Sequence, residues 1–282
     1  MAWPVTWFAC LNYMFTKKTK AFSLIELLVV IATIALLMSI LMPALVGARA
    51  QGIAAVCKSN IRQLVLANIG YSNENDDFCV PAASDIWDGA GGYHRWHGVR
   101  DDEDEPFDPL RGPLVEYLSD GKVKECPGRV RFVSGETWEE SFEKGCGGYG
   151  YNMTYLGSCL WQAGLSFKER YRQTTRMSAI SKPDKTLMFA DCAMSLEEGS
   201  YIEYSFAEPP YFVINGKLFT DMYSSPSIHF RHRRQANIGW SDGHIGSKEM
   251  TELGDENFCN VVSERMKLGW FEPIDNSLFD LK

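Results

Sequence analysis

Apolar and polar positions divide this chain near residue 46. From Leu27 to Val46 twenty consecutive residues carry no charge, and only Thr33 and Ser39 bear hydroxyls. Coiled as a helix, a run of that length spans a bilayer core of about 30 Å. Lys17, Lys18 and Lys20 stand just before it. The bias of basic residues toward the cytoplasm then places the N-terminal side inside and everything after Val46 outside. Beyond Pro43 the pattern changes. Ile53, Val56, Ile61, Leu64 and Tyr71 recur at helical spacing, with Lys58, Ser59, Arg62 and Gln63 on other faces. The polar stretch "NENDDF" at 73–78 stops the pattern. Phe22 to about Asn75 thus reads as one helix of roughly 80 Å, kinked near Pro43. Its C-terminal half needs a sheet or a second helix over its apolar stripe.

Shorter periods follow. "SDIWDGAGGYHRWHGVRDDEDEPFDPL" is rich in glycine and acid and reads as a long loop, and Leu114 to Leu118 as a short helix ending in a turn at Asp120-Gly121. "RVRFV", "YGYNMTYLG", "KTLMFADC", "YFVING" and "QANIGWSDGHIGS" are β-prone pieces punctuated at hairpin distances. "SFKERYRQTTRMSAI" reads as a short surface helix. The class these elements predict is α+β, with an antiparallel sheet.

Glu26 is the one carboxylate at the edge of the apolar run. A charge there is costly and calls for a partner. A cleavable secretory signal accounts for the small residues of "ALVGARA" but not for Glu26, and a plain signal anchor accounts for neither. The stretch "KTKAFSLIELLVV" resembles the N-terminal segment of type IV prepilins and type II secretion pseudopilins. The resemblance implies a leader at 1–21, cut by a prepilin peptidase between Ala21 and Phe22, and N-methylation of Phe22. It implies that Glu26 faces the charged amine of a neighbouring subunit's Phe22 during filament assembly, and that Pro43 stands where many pilins carry a proline. Most prepilins have Gly before the cut, where this chain has Ala21. Met14 begins "MFTKKTKA", a more typical leader than the first thirteen residues.

A second resemblance lies in the C-terminal part. "HRRQANIGWSDGH" sets nine residues between His232 and Asp242-Gly243, and this resembles the H-x9-DG element of a large group of prepilin-like proteins. "CKSNIRQL", "NDDF", "ECPG", "YGYN" and "FADC" match that group as well. The organisation implied is a leader (1–21), a transmembrane segment (22–46), an amphipathic continuation (47–75) and an extracytoplasmic head (76–282) containing the H-x9-DG hairpin at 232–247. The fold implied is pilin-like, a long helix packed on an antiparallel head and held in a bacterial inner membrane, with other pilin-like subunits as partners.

Charge sharpens the picture. The chain carries −8, and loss of the leader's three lysines would bring it to −11, which argues against a nucleic-acid partner. Eight cysteines are present, seven after residue 21 and none in C-x-x-C spacing, so a zinc ribbon is disfavoured. Asp242-Gly243 is turn chemistry with His232 bonded across the sheet, or else His229, His232, Asp242 and His244 converge on a metal such as zinc. Asp101, Asp102 and Asp104 form a solvated acidic loop or a weak calcium site, without EF-hand spacing. Trp87, Tyr93 and Trp96 either cover the core or stack on a sugar or a partner protein. His94, His97 and Asp101 lack a recognisable nucleophile, and no catalytic signature occurs. No cofactor is required by this reading. The chain is expected to be the substrate of a peptidase and not itself an enzyme. The alternative is a membrane-anchored module that binds a polysaccharide or an exported protein. A metal-dependent enzyme displayed on a pilin stalk comes last.

Overall fold

The computed structural model describes residues 22–88, 91–103, 105–128, 130, 132, 143–196, 200–251, 257–259 and 261–282. The leader with Ala21, Asp104 and most of "RVRFV" lie outside the described residues. The fold is α+β: a long apolar N-terminal helix accompanied by antiparallel sheets.

Helix α1 runs Leu24–Glu74, with Pro43 inside it. The chain divides into two compact units, one ending at Arg49 and the other beginning at Ala50. In the first unit every large apolar side chain from Leu24 to Val46 is exposed. Among the described residues this is the one helix long and apolar enough to cross a membrane.

In the second unit α1 buries Cys57, Asn60, Ile61, Leu64, Val65, Ala67, Asn68 and Ser72. These steps of three and four put all of them on one face. The face is rotated from the expected stripe. Ile61 and Leu64 belong to it, whereas Val56 is 51% exposed. The reason is polar. Asn60 Nδ2 donates to the Tyr149 hydroxyl at 3.0 Å and to the Glu125 carbonyl at 3.2 Å, and Asn68 Oδ1 accepts from the Val80 amide at 3.2 Å. Buried amides that bond to the rest of the unit sit within the apolar stripe, Asn60 through its nitrogen and Asn68 through its oxygen, and hydrophobicity alone does not locate them.

A four-stranded antiparallel sheet meets this face: β1 (Tyr149–Tyr151), β2 (Leu187–Asp191), β3 (Gln235–Trp240) and β4 (Ile245–Glu249), in the spatial order β4-β3-β2-β1. Ile238 pairs with Ala190 and Gly150 pairs with Ala190 from the other side, so β2 and β3 are central, β2 apolar from Leu187 to Ala190 and β3 carrying the buried Asn237 among its apolar residues. Phe189 stacks on Tyr151 at 4.8 Å and meets Trp96 edge-on at 5.0 Å. Trp96 is completely buried, its indole N–H donating to the Ser205 carbonyl at 2.8 Å. The supposed long loop thus supplies a core residue and contains a small hairpin, His94–Arg95 against Gly98–Val99.

Other elements differ in detail from the sequence pattern. "YGYNMTYLG" is a strand only to Tyr151, because Asn152 turns inward. Its amide donates to the carbonyls of Leu187 and Phe279 and its oxygen accepts from the Tyr155 amide, opening a single π-turn at Met153–Gly157. Leu114 to Leu118 yields a 3-10 turn at Val115–Tyr117. "YFVING" forms a hairpin with Lys217–Phe219 about Asn215 and Gly216, both at positive φ. Helix α2 (Phe167–Arg172) begins in a capping box of Ser166 and Glu169.

At Gly239 sheet and helix approach closely. A Cβ there would lie 2.6 Å from both Ile61 Cγ2 and Val65 Cγ2. Gly239→Ala is therefore expected to cost about 1–3 kcal/mol through overpacking. Thermal unfolding of the detergent-solubilised full chain measures it, and an unchanged midpoint would contradict this packing.

Candidate functional site

His232 is held by an unusual turn. Arg233 and Arg234 both have positive φ (57° and 67°), and His232 and Gln235 exchange backbone hydrogen bonds of 2.9 and 3.1 Å across them. This is a two-residue hairpin turn of the type that usually employs Asn-Gly. Two arginines in that conformation carry backbone strain. The turn sets His232 just before β3 and beside the end of β2.

Three donors from distant segments meet it there. Asp191 is the last residue of β2, Cys57 belongs to the buried face of α1, and Cys126 lies in "ECPG", anchored by its amide to the Gly147 carbonyl at 2.9 Å. Cys57 Sγ donates to Asp191 Oδ1 at 2.9 Å, His232 Nε2 stands 3.4 Å from Asp191 Oδ2, and Cys126 Sγ stands 3.5 Å from His232 Nε2. All four donor atoms lie within 4.8 Å of one another. Cys57 and Asp191 are fully buried, and His232 is nearly so. Asp191 Oδ2 also accepts the Asn237 amide at 2.8 Å. The Arg231 guanidinium bonds to the Gly148 carbonyl at 3.1 Å and to the Cys192 carbonyl, and its charge acts on Asp191, Cys126 and Cys57.

Protonation in the cluster follows from these contacts. Burial pushes the Cys57 thiol up, reinforced by Cys126 and Asp191. The hydrogen bond from Cys57 holds Cys126 down against its burial, with help from His232 and Arg231. Burial opposes the charge on both Asp191 and His232. Their mutual bond outweighs it, so the carboxyl lies below its ordinary range and the imidazole above its own. Two thiols, a carboxylate and an imidazole are a donor set that can coordinate a transition metal.

Among the described residues this is the group of three or more such donors that the fold assembles. It takes only His232 from the set His229, His232, Asp242 and His244. His229 is buried, stacked on Tyr201 at 4.7 Å. Asp242 Oδ1 and His244 Nδ1 pair with each other at 2.6 Å in the β3–β4 turn, where Gly243 has φ of +95°. Asp101 is gripped by both terminal nitrogens of Arg111, at 2.6 and 2.9 Å. Asp102 lies in the same exposed loop. Cys57, Cys126 and Asp191 were not singled out as ligands from sequence, although "CKSNIRQL", "ECPG" and "FADC" each carry one of them.

At the other end, Glu26 Oε2 accepts the Ser23 amide at 2.9 Å. That is one half of a capping box, and it satisfies a helix-terminal N–H that has no other intrahelical partner. Phe22 is exposed. The possible acid-base trio is dispersed. His94 pairs with Asp85 at 2.8 Å and Asp101 with Arg111, while His97 is buried beside Glu143.

Searches against protein-family models, curated proteins and solved structures gave no match.

The His97 site is expected to make the unit beginning at Ala50 acid-sensitive. Burial opposes ionisation of Glu143, but Arg95, bonded through Nε at 2.9 and 3.0 Å, and His97 outweigh it and hold the carboxyl below its ordinary 4.5. Burial holds His97 below its ordinary 6.5, although Glu143, 3.7 Å away, works against it. Below about pH 6.5 the unfolded chain takes up the histidine proton before the native chain does, and below about 4.5 the same holds for the carboxyl. Both contributions are present at neutral pH and drain away as pH falls. The unfolding midpoint is expected to drop progressively from pH 7 to pH 4. Glu143→Gln should remove about 3–5 kcal/mol at pH 7 by leaving Arg95 buried without its carboxylate, and a midpoint equal to wild type would contradict the ion pair's role.

Proposed function

We propose that the chain is a pilin-like subunit, stored in a bacterial inner membrane through the N-terminal part of α1. A prepilin peptidase processes it between Ala21 and Phe22, and helix-on-helix contacts then build it into a type II secretion or type IV pilus-like filament. The observation that carries the reading is an unbroken exposed apolar surface from Leu24 to Val46 with a single carboxylate at its start. Apolar area of that extent needs lipid or identical neighbours to cover it. In lipid the segment is a monomer's anchor, and in a filament it is the core. Cleavage before Phe22 would create an ammonium group beside the first turn of the helix. Glu26 is the one acid in that region able to neutralise such a group on an adjacent subunit. The head stays outside, and the chain's role is mechanical.

Intact mass of the membrane-extracted protein is expected to begin at N-methylated Phe22, and a chain retaining its leader would count against processing. Glu26→Ala should abolish incorporation into filaments while leaving the head's unfolding midpoint unchanged. Wild-type incorporation of that variant would sink the assembly reading.

A second reading has a specific observation behind it. Trp87, Phe167 and Tyr171 form a surface trio with ring centroids 5.2, 5.4 and 6.0 Å apart. They border a cavity of about 360 Å³ that also meets Arg170, Glu208 and Asn215. Aromatic faces beside polar groups suit a sugar, so a membrane-anchored module binding an exported polysaccharide fits this surface. Glycan-array binding lost on Trp87→Ala would support it, and silence of the wild-type chain across the array would remove it.

A further inference from the structure

We propose that Cys57 Sγ, Cys126 Sγ, one Asp191 carboxylate oxygen and His232 Nε2 bind one zinc ion as a closed, four-ligand structural site that pins α1 to the head.

Distance comes first. Ligands bound to zinc at about 2.0–2.3 Å in a tetrahedron stand roughly 3.3–3.8 Å from one another. The contacts here are 2.9 Å between Cys57 and Asp191, 3.4 Å between Asp191 and His232, and 3.5 Å between His232 and Cys126, with no pair of donors beyond 4.8 Å. Two of these contacts fall inside that range and no pair lies more than about an ångström outside it, with Asp191 turning one oxygen to Cys57 and the other to His232, so binding needs side-chain adjustments of about an ångström.

Chemistry comes second. Sulfur, nitrogen and carboxylate oxygen in one buried set suit zinc, whereas calcium and magnesium prefer oxygen alone. Binding forms four metal–ligand bonds and releases one proton from each thiol to solvent. Two thiolates and a carboxylate bring three negative charges. The divalent ion and the neighbouring Arg231 guanidinium bring three positive ones, leaving a buried site with no net charge. A disulfide between the two cysteines would instead leave a carboxylate and an imidazole in a largely dry pocket.

Position comes third. The four ligands come from α1, the "ECPG" loop, the end of β2 and the strained turn before β3. Four protein ligands complete a tetrahedron, which leaves no open position for substrate and makes the site structural. The site lies wholly within the unit beginning at Ala50, so it stands or falls independently of leader processing.

The test uses the full chain, purified from membranes in detergent without chelators. Elemental analysis should give about one zinc per chain, falling below about a tenth in Cys126→Ser and His232→Ala, while Cys259→Ser keeps the wild-type value. Those two variants could fail to fold, so the wild-type chain is also stripped and refilled with cobalt(II) chloride. A thiolate-to-cobalt charge-transfer band is expected there. A wild-type chain that carries no zinc and develops no such band overturns the proposal. So does a native mass lower by two hydrogens with the Cys57 and Cys126 peptides linked. Zinc retained at the wild-type level in both variants would place the metal elsewhere and overturn it equally.

Discussion

The contact between the Ala50–Glu74 part of α1 and β3 governs the head. Gly239 lies so near Ile61 and Val65 that no side chain fits between them. The close approach lets the helix reach the ends of the central strands, and several buried polar contacts depend on that reach. Asn60 meets Tyr149, and Cys57 meets Asp191. Were the helix held farther away by even a methyl group, each of these groups would lose its partner in a place without water. Dense packing and polar satisfaction are therefore one constraint here: the apolar residues set a separation at which the polar ones can bond.

The elements with strong local signals were legible in the sequence. An unbroken apolar run, a polar stop at 73–78, and alternation around an Asp-Gly turn are short-range features, and they yield α1 and the β3–β4 hairpin. The inward rotation of the α1 stripe was not legible, because it depends on what Asn60 and Asn68 find opposite them. For Trp96 the sequence leaves two readings open, core cover or contact with a partner, and its burial decides for the first. Its neighbours are glycine and charge, yet the indole is drawn into the core by Phe189 and by a carbonyl over a hundred residues away. The donor cluster is the extreme case. Each of its members sits in a short piece with no metal-binding spacing of its own, and only the sheet order β4-β3-β2-β1 and the helix across it bring the four together. His232 could be marked from sequence, but its true companions lie one on each of three other segments, and the nearer candidates Asp242 and His244 turn to each other instead.

The two parts of α1 obey different rules. Up to Val46 nearly every position is apolar, so no face is distinguished and any surrounding apolar medium serves equally well. After Ala50 one face is specified residue by residue, with amides and a thiol among the aliphatics. The first arrangement tolerates sliding and exchange of neighbours. The second permits a single register against a single sheet. On the proposed reading that division suits a subunit that must change surroundings at one end while its head keeps one conformation.

On the proposed reading, the bond between Ser23 and Glu26 would give that change of surroundings a particular character. A carboxylate already engaged by an amide one turn away is not a bare charge waiting in lipid. On that reading, Glu26 would have to release or share the Ser23 amide to take up a neighbour's ammonium, so docking would be a swap of one hydrogen-bond donor for another. Losing a cap of this kind costs about 1 kcal/mol, and a charge-assisted bond is roughly twice as strong as a neutral one. The net driving force of each such swap would be small, which would make the step reversible in isolation. Commitment would then come from many subunits engaging side by side, and a single stray encounter in the membrane would dissolve as readily as it formed.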